Sequence, residues 1–209
     1  LHISNGVKIK EAIGLDKLEI VGEKVVSASL TDGSDVSVDF VIVGIGITPN
    51  TELAEGANLK INNGILINDK CQTSVSNIYA AGDCTSFTYK NILVRLESVG
   101  NAIDQATVAA QNIMKKHTNY IPKPWFWSDQ YDLKLQIAGL NTGYDDVVVR
   151  KGDSKQVSHW YYKGQSLLAV DALNDPRSYM IGKRLIEANK SPPKHKLKDE
   201  NFNLKVLLK

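Results

Sequence analysis

The stretch Asn77-Ile78-Tyr79-Ala80-Ala81-Gly82-Asp83-Cys84 pairs a short apolar run with a carboxylate. Ile78 to Ala81 has the length of a buried strand, and Gly82 and Asp83 end it abruptly. Two alanines and a glycine leave the backbone bare, so another molecule can come close to it. Asp83 then stands at the strand's carboxyl end, where ligands sit in open α/β sheets. The same residues also suit a core strand followed by an Asp-stabilised turn. Gly44-Ile45-Gly46-Ile47-Thr48-Pro49-Asn50 poses a similar choice. Glycines after a buried strand let a ligand approach, or they make a tight turn out of the sheet. This is not a GxGxxG fingerprint: the third glycine is missing and Pro49 stands where a helix would be running. Near Glu97 and Ser98 a helix begins, and its free N–H groups make an anion site. Trp125-Phe126-Trp127 adds an aromatic cluster that is either core or a stacking platform for a planar ligand.

The elements that must hold these residues follow from periodicity. Residues 1–45 read as strands, with Val7 and Ile9 alternating with polar neighbours. Leu18 to Val21 and Lys24 to Leu30 flank a Gly22-Glu23 turn, and Asp32-Gly33 signals a second hairpin. Asp39 to Val43 is an almost continuous apolar run, as in a strand buried on both faces. Thr51 is placed to start a short helix. Ile65 to Ile67 reads as a short strand. In residues 97–115, Val99, Ala102, Ile103, Ala106, Ala110 and Ile113 recur at helical spacing and mark the face expected to be buried. Residues 117–124, with Pro122 and Pro124, have a linker's composition. On a strand, Trp125 and Trp127 share one face and Phe126 takes the other. Residues 133–173 read as an antiparallel sheet with turns at Asn141-Thr142-Gly143, Lys151-Gly152 and Lys163-Gly164. Asp175 caps a helix that Pro176 begins, although Gly182 weakens it. The tail from Ser191 either docks through Leu204, Val206 and Leu207 or stays loose.

Composition narrows the classes. The chain has 209 residues, 43% hydrophobic and 23% charged, with a net charge of +2. That is an ordinary globular balance, and it argues against a nucleic-acid binder, which shows a dense basic face. No apolar run reaches the roughly 18 residues a membrane helix needs, and no membrane partner is expected. Leu1-His2-Ile3-Ser4-Asn5 is not a signal peptide and reads like the middle of a longer protein. Cys71 and Cys84 make neither a disulfide framework nor a four-ligand zinc site, and Cys84 could be a small core residue. A reducing, cytoplasmic setting is expected. The four histidines have no metal-ligand spacing.

Taken in order, these motifs resemble a known family. The chain is similar to the carboxyl-terminal portion of FAD-dependent NAD(P)H:ferredoxin reductases, the putidaredoxin and rubredoxin reductase group of the glutathione-reductase-like flavoproteins. Gly44-Ile45-Gly46 through Pro49-Asn50, Ile78 to Asp83, Glu97-Ser98 through Asn101-Ala102 and Gln105-Ala106, and Pro124 to Gln130 carry the match, with Asn174-Asp175-Pro176 in support. Of these, Trp-Phe-Trp-Ser-Asp-Gln is the motif most specific to the ferredoxin-reductase branch.

The resemblance implies a fold that is α/β and α+β: a partial FAD/NAD(P)-binding, Rossmann-like region followed by an antiparallel-sheet reductase domain. It implies three segments. Residues 1–45 end an NAD(P)-binding domain, 46–116 are the returning segment of an FAD-binding domain, and 118–209 are the reductase domain. It also implies the cofactors FAD and NAD(P)H and a ferredoxin- or rubredoxin-type iron–sulfur partner. By resemblance, Gly82 and Asp83 meet the FAD ribityl chain, and the helix begun by Glu97 and Ser98 points at the flavin pyrimidine. Trp127 packs near the flavin, Trp125 lies nearer the surface, and Gly44, Ile45 and Gly46 line the pyridine-nucleotide cleft. No acid–base catalytic residue is expected.

The family's two GxGxxG units are not in this sequence, so the resemblance places them upstream of Leu1. The chain alone is then expected to bind FAD poorly. Lys183, Arg184, Lys190, Lys194, Lys196 and Lys198 could steer an acidic ferredoxin, or simply form a solvated face. The alternatives are a disulfide-reductase-like flavoprotein, an apoptosis-inducing-factor-like flavoprotein, and a non-catalytic docking fragment.

Overall fold

The computed structural model describes residues 1–153 and 155–208. The chain divides into two compact units, Leu1–Thr48 and Pro49–Lys209.

In the first unit a short 3-10 turn, Ile3–Asn5, precedes a three-stranded antiparallel meander. Its strands are β1 (Leu15–Val21), β2 (Lys24–Leu30) and β3 (Asp35–Ser37). Gly22 and Gly33 sit at the two hairpin turns with φ of 65° and 79°, which glycine adopts freely. Both hairpins match the sequence pattern. Two other expected strands do not form. Val7 and Ile9 lie outside any described strand, and so does the run Asp39 to Val43, where Phe40 is 72% and Ile42 85% exposed. A strand is a relation to a neighbour. After the Val38 N–H donates to the Val26 carbonyl, no described strand takes up residues 39–43. Apolarity alone does not supply the ladder.

The second unit begins with the helix α1 (Glu52–Gly56). Thr51 stands at its start as expected, but its hydroxyl donates to the Glu55 carboxylate at 2.6 Å and does not cap the backbone. A small sheet follows, ordered β4 (Ile65–Leu66), β5 (Thr85–Tyr89) and β6 (Ile92–Val94), with β4–β5 parallel and β5–β6 antiparallel. Ile78 to Ala81 is not a strand. Among the described residues its only β-pairing is an isolated bridge between Tyr79 and Gln72, and the strand begins beyond the glycine, at Thr85. Asp83 therefore precedes a strand and does not terminate one.

Helix α2 (Val99–Ile113) lies within the expected span. Its buried face is the opposite of the one expected: Asn101, Gln105, Val108, Ala109 and Asn112 are buried, whereas Ile103 is 60% and Ile113 63% exposed. Each buried amide holds a loop. Asn101 accepts from the Tyr120 hydroxyl at 2.5 Å and donates to the Leu96 carbonyl at 3.0 Å. Asn112 donates to the Lys70 and Thr118 carbonyls and accepts from the Thr118 N–H. Satisfied polar groups of this kind fix irregular backbone that no sheet would hold. Nearby, Cys71, rather than Cys84, is the fully buried cysteine. Burial, with help from the Asp69 carboxylate, pushes its thiol up to about 11. Native protein at pH 8 should therefore leave Cys71 unalkylated by iodoacetamide, with full labelling after denaturation. Labelling of Cys71 in the folded chain, read by peptide mass, would contradict this.

The remaining strands form one antiparallel sheet in the order β7-β8-β11-β10-β9. They are β7 (Trp125–Gln130), β8 (Leu133–Gly139), β9 (Asp146–Lys151), β10 (Val157–Lys163) and β11 (Ser166–Leu173). Strand β10 buries alternate residues, Ser158, Trp160 and Tyr162, as a period of two requires. Helix α3 (Pro176–Glu187) packs on the sheet, and Asp175 caps it by accepting the Ser178 N–H at 3.0 Å. Gly182 is there because a Cβ would come within 2.6 Å of Val170 on the sheet below.

The tail docks. Leu197, on α4 (Lys194–Lys198), and Leu204, on the closing 3-10 turn Leu204–Leu208, are buried in the same core. Val206, expected to dock, stays about half exposed. Arg150 fastens this segment by donating to four carbonyls, those of Leu197, Asp199, Glu200 and Phe202. We expect Arg150→Ala to cost about 2 kcal/mol, since bonds to a charged donor contribute more than neutral ones, and to speed amide exchange in residues 197–204. An unchanged urea midpoint would contradict it. No described helix is long and apolar enough to cross a membrane.

Candidate functional site

Segments far apart in sequence meet around the first turn of α2. Gly82 lies against it: φ there is 91°, and a Cβ would touch the Ala102 side chain at 3.6 Å. The Gly82 N–H donates to Gln105 Oε1 at 2.7 Å, one helical turn further on. The Thr85 hydroxyl lies 2.8 Å from both Gln105 Oε1 and the Gly82 carbonyl. This fixes the turn and leaves the Asp83 side chain exposed to solvent.

On the other side Gly100 faces Trp125, so closely that a Cβ would overlap the indole nitrogen. The Ser98 hydroxyl donates to the Trp125 carbonyl at 2.9 Å. Ser98 is thereby spent on β7 and gives α2 no side-chain cap. Such a helix start keeps its first N–H groups and the positive end of its dipole available. Trp125 and Trp127 stack, with ring centroids 5.2 Å apart and planes 22° from parallel. Trp127 is 46% exposed and Trp125 is the more buried of the two, the reverse of the expected order. The reason is Gly100, which gives Trp125 a seat on the helix.

Glu97 stands just before the helix, and its carboxylate lies 2.6 Å from Arg95 Nη1. The same nitrogen donates to the Asp83 carbonyl at 3.3 Å. One end of α2 therefore brings together Gly82, Asp83, Glu97, Ser98 and Trp127. Gly44, Ile45 and Gly46 belong to the first unit. There Gly46 has a φ of 100° and Ile45 is exposed. Two residues of the second-unit site have no sequence signal of their own: Gly100, which merely lies inside a motif, and Arg95, which lies in none. A third, Gln105, lies inside a motif and has a signal that sequence reasoning missed, since the amides Asn101, Gln105 and Asn112 fall on one helical stripe.

A family model described as pyridine nucleotide-disulphide oxidoreductase matches residues 1–111. The chain belongs to this family. A second model, described as reductase C-terminal, matches residues 125–208. Rhodocoxin reductase of Rhodococcus erythropolis is 36% identical over 210 residues, an alignment that takes in 99% of this chain and 49% of that protein. Putidaredoxin reductase of Pseudomonas putida is 38% identical over 213 residues, with 100% and 50% covered. Among solved structures, the ferredoxin reductase for the CYP199A2 system from Rhodopseudomonas palustris superposes with a TM-score of 0.93 at 34% identity, covering 98% of this chain and 52% of its own. The reductase of a covalent putidaredoxin reductase–putidaredoxin complex matches with the same TM-score at 37% identity, covering 99% and 51%. The chain spans about half the length of these relatives.

Proposed function

We propose that this chain is the carboxyl-terminal half of an FAD-dependent NAD(P)H:ferredoxin reductase, and that it contributes one side of the flavin site. The observation that carries this is the meeting of Gly82-Asp83, the start of α2 and the Trp125–Trp127 stack around a single helical turn. Each group suits a different part of FAD. Asp83 is an exposed carboxylate on a turn bared by Ala80, Ala81 and Gly82, suited to accept from ribityl hydroxyls. The uncapped start of α2, reached through Glu97 and Ser98, offers N–H donors and a positive dipole end to the pyrimidine side, where reduction places negative charge. Trp127 presents an exposed indole face to a planar ring. When bound, FAD accepts hydride from NAD(P)H and passes electrons on singly. The chain's part is to bind, orient and shield, and no side chain here is assigned an acid–base step. Gly44, Ile45 and Gly46 are assigned to the pyridine-nucleotide cleft.

On this reading residues 1–45 close an NAD(P)-binding domain, 46–116 return to the FAD domain, and 118–209 form the reductase domain. The similarity to ferredoxin reductases and the reductase C-terminal match over 125–208 support this branch over a disulfide reductase. Cys71 is buried, Cys84 is half-buried, and both are free, in keeping with a cytoplasmic setting. The full-length protein should reduce a [2Fe–2S] ferredoxin or a rubredoxin with NADH or NADPH. An FAD-loaded protein that oxidises NAD(P)H yet passes no electrons to any such acceptor would refute the assignment.

The basic residues of α3 and the tail are partly engaged already. Lys183 pairs with Glu187 at 3.2 Å and Lys194 with Asp146 at 2.7 Å. Arg184, Lys190 and Lys198 are exposed. If these steer an acidic ferredoxin, kcat/KM for its reduction should fall several-fold between about 0.02 and about 0.3 M salt. A flat salt profile would remove the steering role.

A further inference from the structure

Among the described residues, two buried side-chain donors have no hydrogen-bond partner: Gln105 Nε2 and Arg95 Nε. Unpaired buried donors are rare in folded proteins, and each calls for a physical reason. Both belong to side chains that grip the same dipeptide. Gln105, fully buried, takes the Gly82 N–H at 2.7 Å from the helix side. Arg95 takes the Asp83 carbonyl at 3.3 Å from the sheet side, while its guanidinium also lies 2.6 Å from the Glu97 carboxylate. The Gly82 carbonyl is held in turn by the Thr85 N–H at 3.0 Å. The backbone on both sides of the Asp83 Cα is thus fixed, and Gly82 is held at a φ of 91° where a side chain would be strained. The two side chains meet these backbone groups and leave one of their own donors unmatched in doing so. Both donors lie at the one turn that carries Asp83, whose own side chain is left exposed.

We propose that Gln105 and Arg95 are positioning residues for the flavin site. Gln105 sets the Gly82 peptide, and Arg95 sets the Asp83 carbonyl and Glu97 together, so that the Asp83 carboxylate is presented in one direction. This rests on the flavoenzyme reading above.

The test uses the full-length reductase, stripped of FAD and titrated with it. Wild type, Asp83→Ala, Gln105→Met, Arg95→Met and Asn112→Leu are compared for FAD dissociation constant, flavin absorption spectrum and melting temperature. Asn112 is a buried amide on the same helix that holds loops away from Asp83, so it reports what a merely structural amide does. Gln105→Met and Arg95→Met should each weaken FAD binding at least tenfold and shift the bound flavin spectrum. Asn112→Leu should lower the melting temperature comparably yet keep the dissociation constant within twofold. Gln105→Met and Arg95→Met binding within twofold of wild type, or Asn112→Leu weakening binding as much as they do, would overturn the proposal. If Gln105→Met does not fold, Arg95→Met decides by the same thresholds. An Asp83→Ala variant that binds like wild type would also overturn the proposal, since there would be no carboxylate contact to position, whereas a wild type that binds no FAD would count instead against the flavoenzyme reading.

Discussion

Asp83→Ala, made in the full-length reductase, is expected to weaken FAD binding by about 10- to 100-fold, the equivalent of the roughly 1.5–3 kcal/mol that a hydrogen bond to a charged group contributes. The effect should be large because the carboxylate does no other work. Among the described residues its side chain has no hydrogen-bond or ion-pair partner, it is exposed, and its backbone is fixed by neighbours that do not depend on its side chain. Removing it should therefore leave the fold intact, with a melting temperature for the apoprotein within a degree or two of wild type. Asp83→Asn is the finer probe. It keeps one acceptor oxygen and the shape of the side chain but loses the charge, so its affinity should fall between the two. A dissociation constant for Asp83→Ala equal to that of wild type would show that the cofactor is held without this carboxylate.

Gly100→Ala is the second large effect, and its sign is unusual. Replacing glycine by alanine in a helix ordinarily gains up to about 1 kcal/mol. Here the added methyl would overlap the Trp125 indole nitrogen and come within 2.9 Å of Cε2. The indole is not a flexible side-chain end that can swing clear. It stacks on Trp127, and its strand pairs with β8 from Trp125↔Ala138 to Gln130↔Leu133. The methyl must push α2 and β7 apart or turn the indole out of its rotamer, at a cost of about 1–3 kcal/mol as in other overpacked sites. This test needs only the 209-residue chain. The urea midpoint should fall, and the near-ultraviolet circular dichroism of the stacked tryptophans should weaken. A gain in stability with the spectrum unchanged would mean that Gly100 does not seat Trp125.

Both effects arise where sequence patterns were least informative about placement. Helix α3 was legible because its signals are local: Asp175 accepts from Ser178 and Pro176 opens the first turn, and neither depends on the rest of the fold. The five-stranded sheet was legible for a related reason. A period of two and turn residues at regular intervals specify each strand, and Trp160 and Tyr162 on β10 point inward as that period demands. Helix α2 was legible as a helix but not in its orientation. Its apolar stripe through Val99, Ile103 and Ile113 faces outward, while Asn101, Gln105 and Asn112 turn inward to hold loops. Which face of a helix is buried is decided by what surrounds it, and buried amides look like surface residues until their partners are known. The same limit explains Ile78 to Ala81 and Asp39 to Val43. Both are apolar enough for strands, yet no described neighbour offers them a ladder. As for the site, its residue types were legible, but their meeting was not. Gly100 and Gln105 are what bring the glycine turn and the tryptophans to one helix end, and each speaks only through a contact partner distant in sequence.

The central claim is that these segments form one face of a single cofactor site. Hydrogen–deuterium exchange of the full-length apoprotein, with and without saturating FAD, tests it most directly. Binding should slow exchange together in three segments of this chain, residues 80–85, 98–102 and 125–128, with little change in the β9–β10 region. Protection confined to one of the three, or absent from all of them while FAD is bound, would contradict the account.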